Sequence, residues 1–235
     1  MPAAPARLRM DNLIVAAILL LGTHFGLSST QLRPQLVASV GEPVFRILYS
    51  AITLVAIAWM VVAWRAAPVV ELWSAGPALR HLPLLVMPLA LLLAVCAVSQ
   101  PNPTAIGAAP DPDATEPATG ILRVTRHPLM WAFGLWGLVH MLANGDLASL
   151  LFFGTFAVLA LAGTVLIDHK RTRRNEPGWG VFLQATSNLP LVAIAERRQR
   201  LVPREIGLTR PVVALALYVV LILLHPLLFG VPVVG

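Results

Sequence analysis

The sequence predicts an all-α fold, a polytopic integral membrane helical bundle of about six transmembrane helices. Three observations carry that expectation. Hydrophobic residues make up 57% of the chain and charged residues 12%, with a mean hydropathy of +0.78, whereas soluble domains carry roughly 25% charged residues. The apolar residues gather in six stretches near the length, about 20 residues, that a helix needs to cross the hydrocarbon core with its backbone amides satisfied internally. Finally, nine of the seventeen Lys and Arg residues lie together between the last two stretches, as a single cytoplasmic loop would place them.

The first stretch runs from Asn12 to Ser29 and is followed by no small-residue cleavage site, so it is expected to persist as a membrane helix. The second runs from Val44 to Trp64 and the third from Leu79 to Ser99. Residues 100–120 then hold Pro101, Pro103, Pro110, Pro112 and Pro117 with Asp111, Asp113 and Glu116, a composition expected to form a flexible linker. Pro128 opens the fourth stretch, which closes at Ala143. Asn144 and Gly145 supply a tight turn, and Asp146 stands where it caps the fifth stretch, Leu147 to Ile167. An architectural turn and a polar functional site are both open readings of those three residues. Residues 169–210 form the basic loop, interrupted by Trp179, Val181, Phe182, Leu189, Leu191, Val192 and Ile194, and this mixture suits a membrane surface. The sixth stretch runs from Pro211 to Val231, and no internal repeat divides what reads as one domain over residues 1–235.

A formal charge of +6 and a pI near 11 invite a nucleic-acid reading, but the distribution of the charge opposes it. Lys170, Arg171, Arg173, Arg174, Arg197, Arg198, Arg200, Arg204 and Arg210 share one loop. Placing that loop in the cytoplasm also places Arg33, Arg46, Arg123 and Arg126 there, and leaves only Arg7, Arg9, Arg65 and Arg80 on the opposite side. Both termini are then expected outside, with the lipid bilayer as the partner. The single cysteine, Cys96, excludes an intramolecular disulfide and is expected to be a packing residue.

Six histidines are present. His81 and His169 sit at span ends and are expected in solvent at the interface. His24 lies between Gly22 and Gly26, whose spacing lets a helix or a flat ligand approach. His140 follows Phe133, Trp136 and Gly137 along its helix, an aromatic face with a gap suited to a planar macrocycle. His225 precedes Pro226, whose missing amide frees the carbonyl of Ile222 for the imidazole. Histidines are costly in lipid, and imidazoles in an apolar slot are the axial ligands haem iron takes.

The pattern Thr23-His24-x-Gly26, Leu32-Arg33, Gly41-Glu42-x-x-x-Arg46, Arg126-His127-Pro128-x-x-Trp131 and Trp136-x-x-x-His140-x-x-Ala143-Asn144-Gly145-Asp146 resembles the NnrU family. The resemblance continues through Trp179-x-x-Phe182-x-x-x-Thr186-Ser187-x-x-Pro190 and His225-Pro226-x-x-x-Gly230, nearly the whole chain. It implies an inner-membrane protein binding haem b, related to the 15-cis-zeta-carotene isomerases or to a denitrification-associated membrane factor. His24 and His140 match the family's two histidine ligands. Gly137 stands where some isomerases carry an alternative cysteine ligand, so a histidine/cysteine switch is not implied. The implied partners are an apolar polyene substrate or a respiratory component. Helix rise places His24 and His140 on the order of 8 Å apart in depth, whereas His225 lies near the depth of His140. A His140/His225 pair is therefore an alternative ligand set.

Arg126-His127-Pro128 has a second resemblance, to the turn with which isoprenylcysteine and phospholipid methyltransferases hold S-adenosylmethionine. Arginine at a helix N-terminus suits a carboxylate, so Arg126 and His127 join the candidate cofactor-binding residues. A non-catalytic haem-binding or structural membrane protein completes the set of alternatives.

Overall fold

The computed structural model describes residues 5–30 and 32–233. Its described residues form ten α-helices and a single 3-10 turn, Gly120–Arg123, with no strand beyond the isolated bridge Glu71 to Asp146. The helices are α1 (Ala6–Ser29), α2 (Leu32–Val40), α3 (Glu42–Ala66), α4 (Pro77–Ser99), α5 (Pro128–Asn144), α6 (Leu147–Arg173), α7 (Trp179–Ala185), α8 (Val192–Ala195), α9 (Pro203–Ile206) and α10 (Thr209–Phe229). The all-α membrane architecture is as expected: α1, α3, α4, α6 and α10 are long and apolar enough to cross a bilayer. The fourth expected stretch is α5, whose 17 residues span about 25 Å at the helical rise, somewhat short of the roughly 30 Å hydrocarbon core.

Two boundaries move by six residues: α1 starts at Ala6 and not at Asn12, and α6 ends at Arg173 and not at Ile167. α6 continues through Asp168 to Arg173, so the basic segment expected to be loop from residue 169 begins as helix. Lys170, Arg171 and Arg173 occupy its last turn, where cations face the negative end of the helix dipole.

The chain divides into two compact units, residues 1–80 with 137–159, and residues 81–136 with 160–235. In the first unit α1 buries Leu13, Ala16, Ala17 and Leu20, and α3 buries Ala56, Met60 and Ala63. Spacings of three and four residues put each set on one stripe. Trp59 Nε1 donates to Asn12 Oδ1 between the same two helices, at 3.1 Å. The Asn144 to Asp146 turn is architectural: Gly145 takes φ +72°, and Asp146 Oδ1 accepts the Ser149 amide at 2.9 Å as an N-cap. The Gly145 carbonyl accepts the amides of Leu72 and Trp73, and Leu147 N–H donates to Val70 O. That turn and residues 70–73 therefore lie at the same end of the unit.

In the second unit Leu93, Cys96, Ile121 and Ala132 form one cluster, and Ala118, Leu122, Trp179 and Phe182 another. Cys96 is fully buried, a packing residue as expected. Residues 100–120, expected to be a flexible linker, have definite partners here. Thr104 Oγ1 donates to Arg126 O, Arg171 donates to the carbonyls of Ala105 and Ala108, and Pro110 and Ala118 are buried. Within α4, Pro88 has no amide for the Leu84 carbonyl. Tyr218 of α10 donates its hydroxyl to that carbonyl at 2.9 Å.

Candidate functional site

The most connected polar site among the described residues is at the N-terminus of α5. Thr125 Oγ1 donates to Asn188 O at 2.6 Å, Trp131 Nε1 donates to the same carbonyl at 2.8 Å, and Asn188 Nδ2 donates to Thr164 Oγ1 of α6. Backbone bonds from Arg126 N to Ser187 O and from Leu191 N to Val124 O hold the 187–191 loop against residues 124–126. Pro128 starts α5 at a position where a missing amide costs nothing.

Asp168, near the end of α6, draws this site together. Arg126 forks onto its carboxylate, with Nε to Oδ1 at 3.0 Å and Nη2 to Oδ2 at 2.6 Å, and Arg126 Nη1 donates to Thr186 O. His127 Nε2 donates to Asp168 Oδ1 at 2.7 Å. The His127 side chain is 0% exposed, and its Nδ1 is buried without a hydrogen-bond partner. The interfacial turn expected at Arg126-His127-Pro128 is therefore a buried junction of α5, α6 and the loop after α7. This also bears on S-adenosylmethionine: Arg126, the expected carboxylate binder, already has a carboxylate.

Asp168 and Asn188 are not among the candidate site residues expected from the sequence. A signal existed: an acid at the lipid end of an apolar helix calls for a partner.

A second ionic site lies in the same unit. Arg123, 7% exposed, pairs in a fork with Glu205 at 2.8 Å through both Nε and Nη2, and donates Nη1 to Gln199 Oε1. Glu205 also accepts the Gly120 amide at 2.6 Å. The Arg123 hydrogen bonds hold the Glu205 carboxyl below its ordinary value, with the Gly120 amide adding to the effect, and the same pairing raises Arg123.

The midspan histidines are elsewhere. In the first unit, His24 Nδ1 is 2.8 Å from the Tyr49 hydroxyl of α3, and the two rings are tilted at 5.7 Å. Gly22 and Gly26 have open space beside them, so their spacing produces no close helix approach. Two residues of helix also turn that face about 200° from His24. His140, also in the first unit, stacks on Phe153 at 5.1 Å. The gap expected at Gly137 is filled, because a Cβ there would lie 2.7 Å from Phe153 O and 3.0 Å from Ala157 Cβ. His225, in the second unit, pairs Nδ1 with Val231 O at 2.7 Å and not with Ile222. His81 and His169 are exposed, as expected.

No cluster of three or more His, Cys, Asp or Glu side chains able to hold a metal ion occurs among the described residues. Haem asks for less, two axial imidazoles. His24 fits in kind, since ligating imidazoles engage their second ring nitrogen with a hydrogen-bonding partner, and Tyr49 is such a partner. The macrocycle wall expected at Gly137 does not fit, because α6 occupies that space.

A family model described as NnrU protein matches residues 12–233. No curated protein and no solved structure matches the chain.

Proposed function

Since the chain belongs to the NnrU family, we propose that this integral membrane protein binds haem b, with His24 and His140 holding the iron. The observation that carries the reading is the 2.8 Å contact between His24 Nδ1 and the Tyr49 hydroxyl. With Nδ1–H donating to Tyr49, the ring is oriented and Nε2 is the nitrogen for ligation. His140 lies in the same unit, its ring backed by Phe153. Haem held by these two histidines would, once one of them left the iron, supply a Lewis-acidic metal that could lower the order of a central double bond of a polyene and let a cis bond turn to trans with no atom gained or lost. Apolar helix faces select a long hydrocarbon for such a reaction. Without a polyene, the same site serves a denitrification pathway as a haem- or nitric-oxide-linked factor. The positive-inside rule supports a cytoplasmic placement of the basic segment 169–210, in what would be a bacterial inner membrane.

Absorbance of the detergent-purified chain, reconstituted with haem, tests the proposal. A Soret band of six-coordinate bis-histidine haem is expected, lost in His24→Ala and in His140→Ala and retained in His225→Ala. No band after reconstitution overturns haem binding. A bis-histidine spectrum that survives His24→Ala but not His225→Ala moves the second ligand to His225.

A further inference from the structure

The segment from residue 189 to 201 is built unlike any other in the second unit. α8 is bracketed by two non-glycine residues in left-handed backbone, Leu191 at φ +69° and Arg197 at φ +59°. Each costs on the order of 1–3 kcal/mol and persists only where its surroundings impose it. The Leu191 backbone is tied to Val124 O, yet the residue is 56% exposed, and Leu189 and Leu201 are 58% and 52% exposed. Beside them Arg197, Arg198 and Arg200 line a recess of about 390 Å³, with Gln199, Glu116 and Arg123 also on its wall. The cations there divide into two groups. Arg123 is engaged by Glu205 and Glu116, and Arg198 by Glu196 and the carbonyls of Gln184 and Thr186. The guanidinium groups of Arg197 and Arg200 make no hydrogen bond or salt bridge to any described residue, although Arg200 feels the charge of Glu205.

Exposed leucines at both ends of a segment that also carries unpaired arginines are what a polypeptide presents to a charged membrane face: apolar side chains enter the acyl boundary while guanidinium groups meet phosphate. The position agrees, since Arg210 at the start of α10 donates to Ser99 Oγ and O at the end of α4. Gln100, the residue after α4, donates to Glu205 O, and Arg123 joins Glu205 to Gln199 of the segment, so these two membrane-helix ends and the segment lie on one side of the unit.

We propose that residues 189–201 dock on the bilayer that surrounds the chain, with Arg197 and Arg200 binding the phosphate of an anionic phospholipid. The inference is independent of haem. The test is titration of the full detergent-purified chain with phosphatidylglycerol, phosphatidylcholine or inorganic phosphate, read as the shift in Tm. Phosphatidylglycerol is expected to raise Tm at low salt and to lose the effect at high salt, while phosphatidylcholine and inorganic phosphate leave it in place. In Arg197→Gln/Arg200→Gln the apparent affinity for phosphatidylglycerol should fall roughly 30-fold, with Tm in detergent alone unchanged. Arg204→Gln, outside the recess, should respond as the unaltered chain. An undiminished response in the double variant overturns the proposal. So does an equal response to phosphatidylcholine, and an equal response to inorganic phosphate reassigns the site to a soluble anion and overturns the lipid.

Discussion

His127 and Asp168 form a pair across α5 and α6: the imidazole Nε2 donates to Oδ1 at 2.7 Å, with the histidine side chain wholly enclosed. Arg126 completes the carboxylate's partners. Two sequence blocks, Arg126-His127-Pro128-x-x-Trp131 and Thr186-Ser187-Asn188, thus meet at an acid contributed by a third. A buried pair of this kind is worth little against apolar residues of equal volume, but removing one member strands the others.

Asp168→Ala should therefore destabilise the chain by about 3 kcal/mol, because Arg126 loses its fork and His127 its remaining ring partner. Asp168→Asn keeps one acceptor oxygen and should cost less. Apparent Tm in detergent measures both. An Asp168→Ala variant as stable as the parent would show that the pair does not hold α5 to α6.

The Arg123–Glu205 pair predicts an acid limit. Glu205 is held below its ordinary value of 4.5, chiefly by the Arg123 hydrogen bonds, so it contributes stability above about that pH. The contribution is lost as pH falls through the lower folded-state value. Arg123 stays charged throughout. Tm followed from pH 7 to pH 3 should decline below about pH 4.5, and Glu205→Gln should begin lower and decline less. Parallel curves for the two proteins would exclude Glu205 as a source of the acid limb.

Glycine substitutions separate two helix faces. Gly137→Ala drives a Cβ into the Phe153 carbonyl and the Ala157 backbone, neighbours that cannot rotate away, and should cost about 1–3 kcal/mol. Gly22→Ala meets open space and should cost nothing in Tm. Equal tolerance of both would contradict the close approach of α5 and α6.

Tyr49→Phe removes the hydroxyl that faces His24 Nδ1. If His24 ligates haem, its affinity should fall about 10- to 100-fold, measured by haem titration at the Soret band. Unchanged affinity would detach Tyr49 from the ligand set.

Much of the fold was legible because lipid imposes a simple rule on local sequence. Apolar runs of membrane length lie within two residues of the boundaries of α3, α4, α5 and α10, and the turn at Asn144 to Asp146 followed from short-range chemistry, a left-handed glycine and an aspartate cap. Reading failed where the deciding partner is remote. Gly22 and Gly26 have the spacing of a helix-contact motif and open space beside them, whereas Gly134 and Gly137 pack against Leu161, Phe153 and Ala157. Nothing local distinguishes the two pairs. The prolines of residues 100–120 announce irregular backbone, but not that Arg171 will bond to it or that Thr104 will donate from it to Arg126 O.

By itself the sequence determined an all-α membrane protein, its approximate spans, its family and the segment in which its basic residues gather. These follow from hydropathy, charge and motif, each a property of residues near one another in the chain. Only the tertiary structure decided that Arg126 and His127 converge on Asp168, that His24 faces Tyr49 and that Gly137 is filled by α6. The partners in the first two cases lie 25 to 42 residues away, and hydrogen bonds and van der Waals contacts act over a few ångströms of space, whatever the separation along the chain.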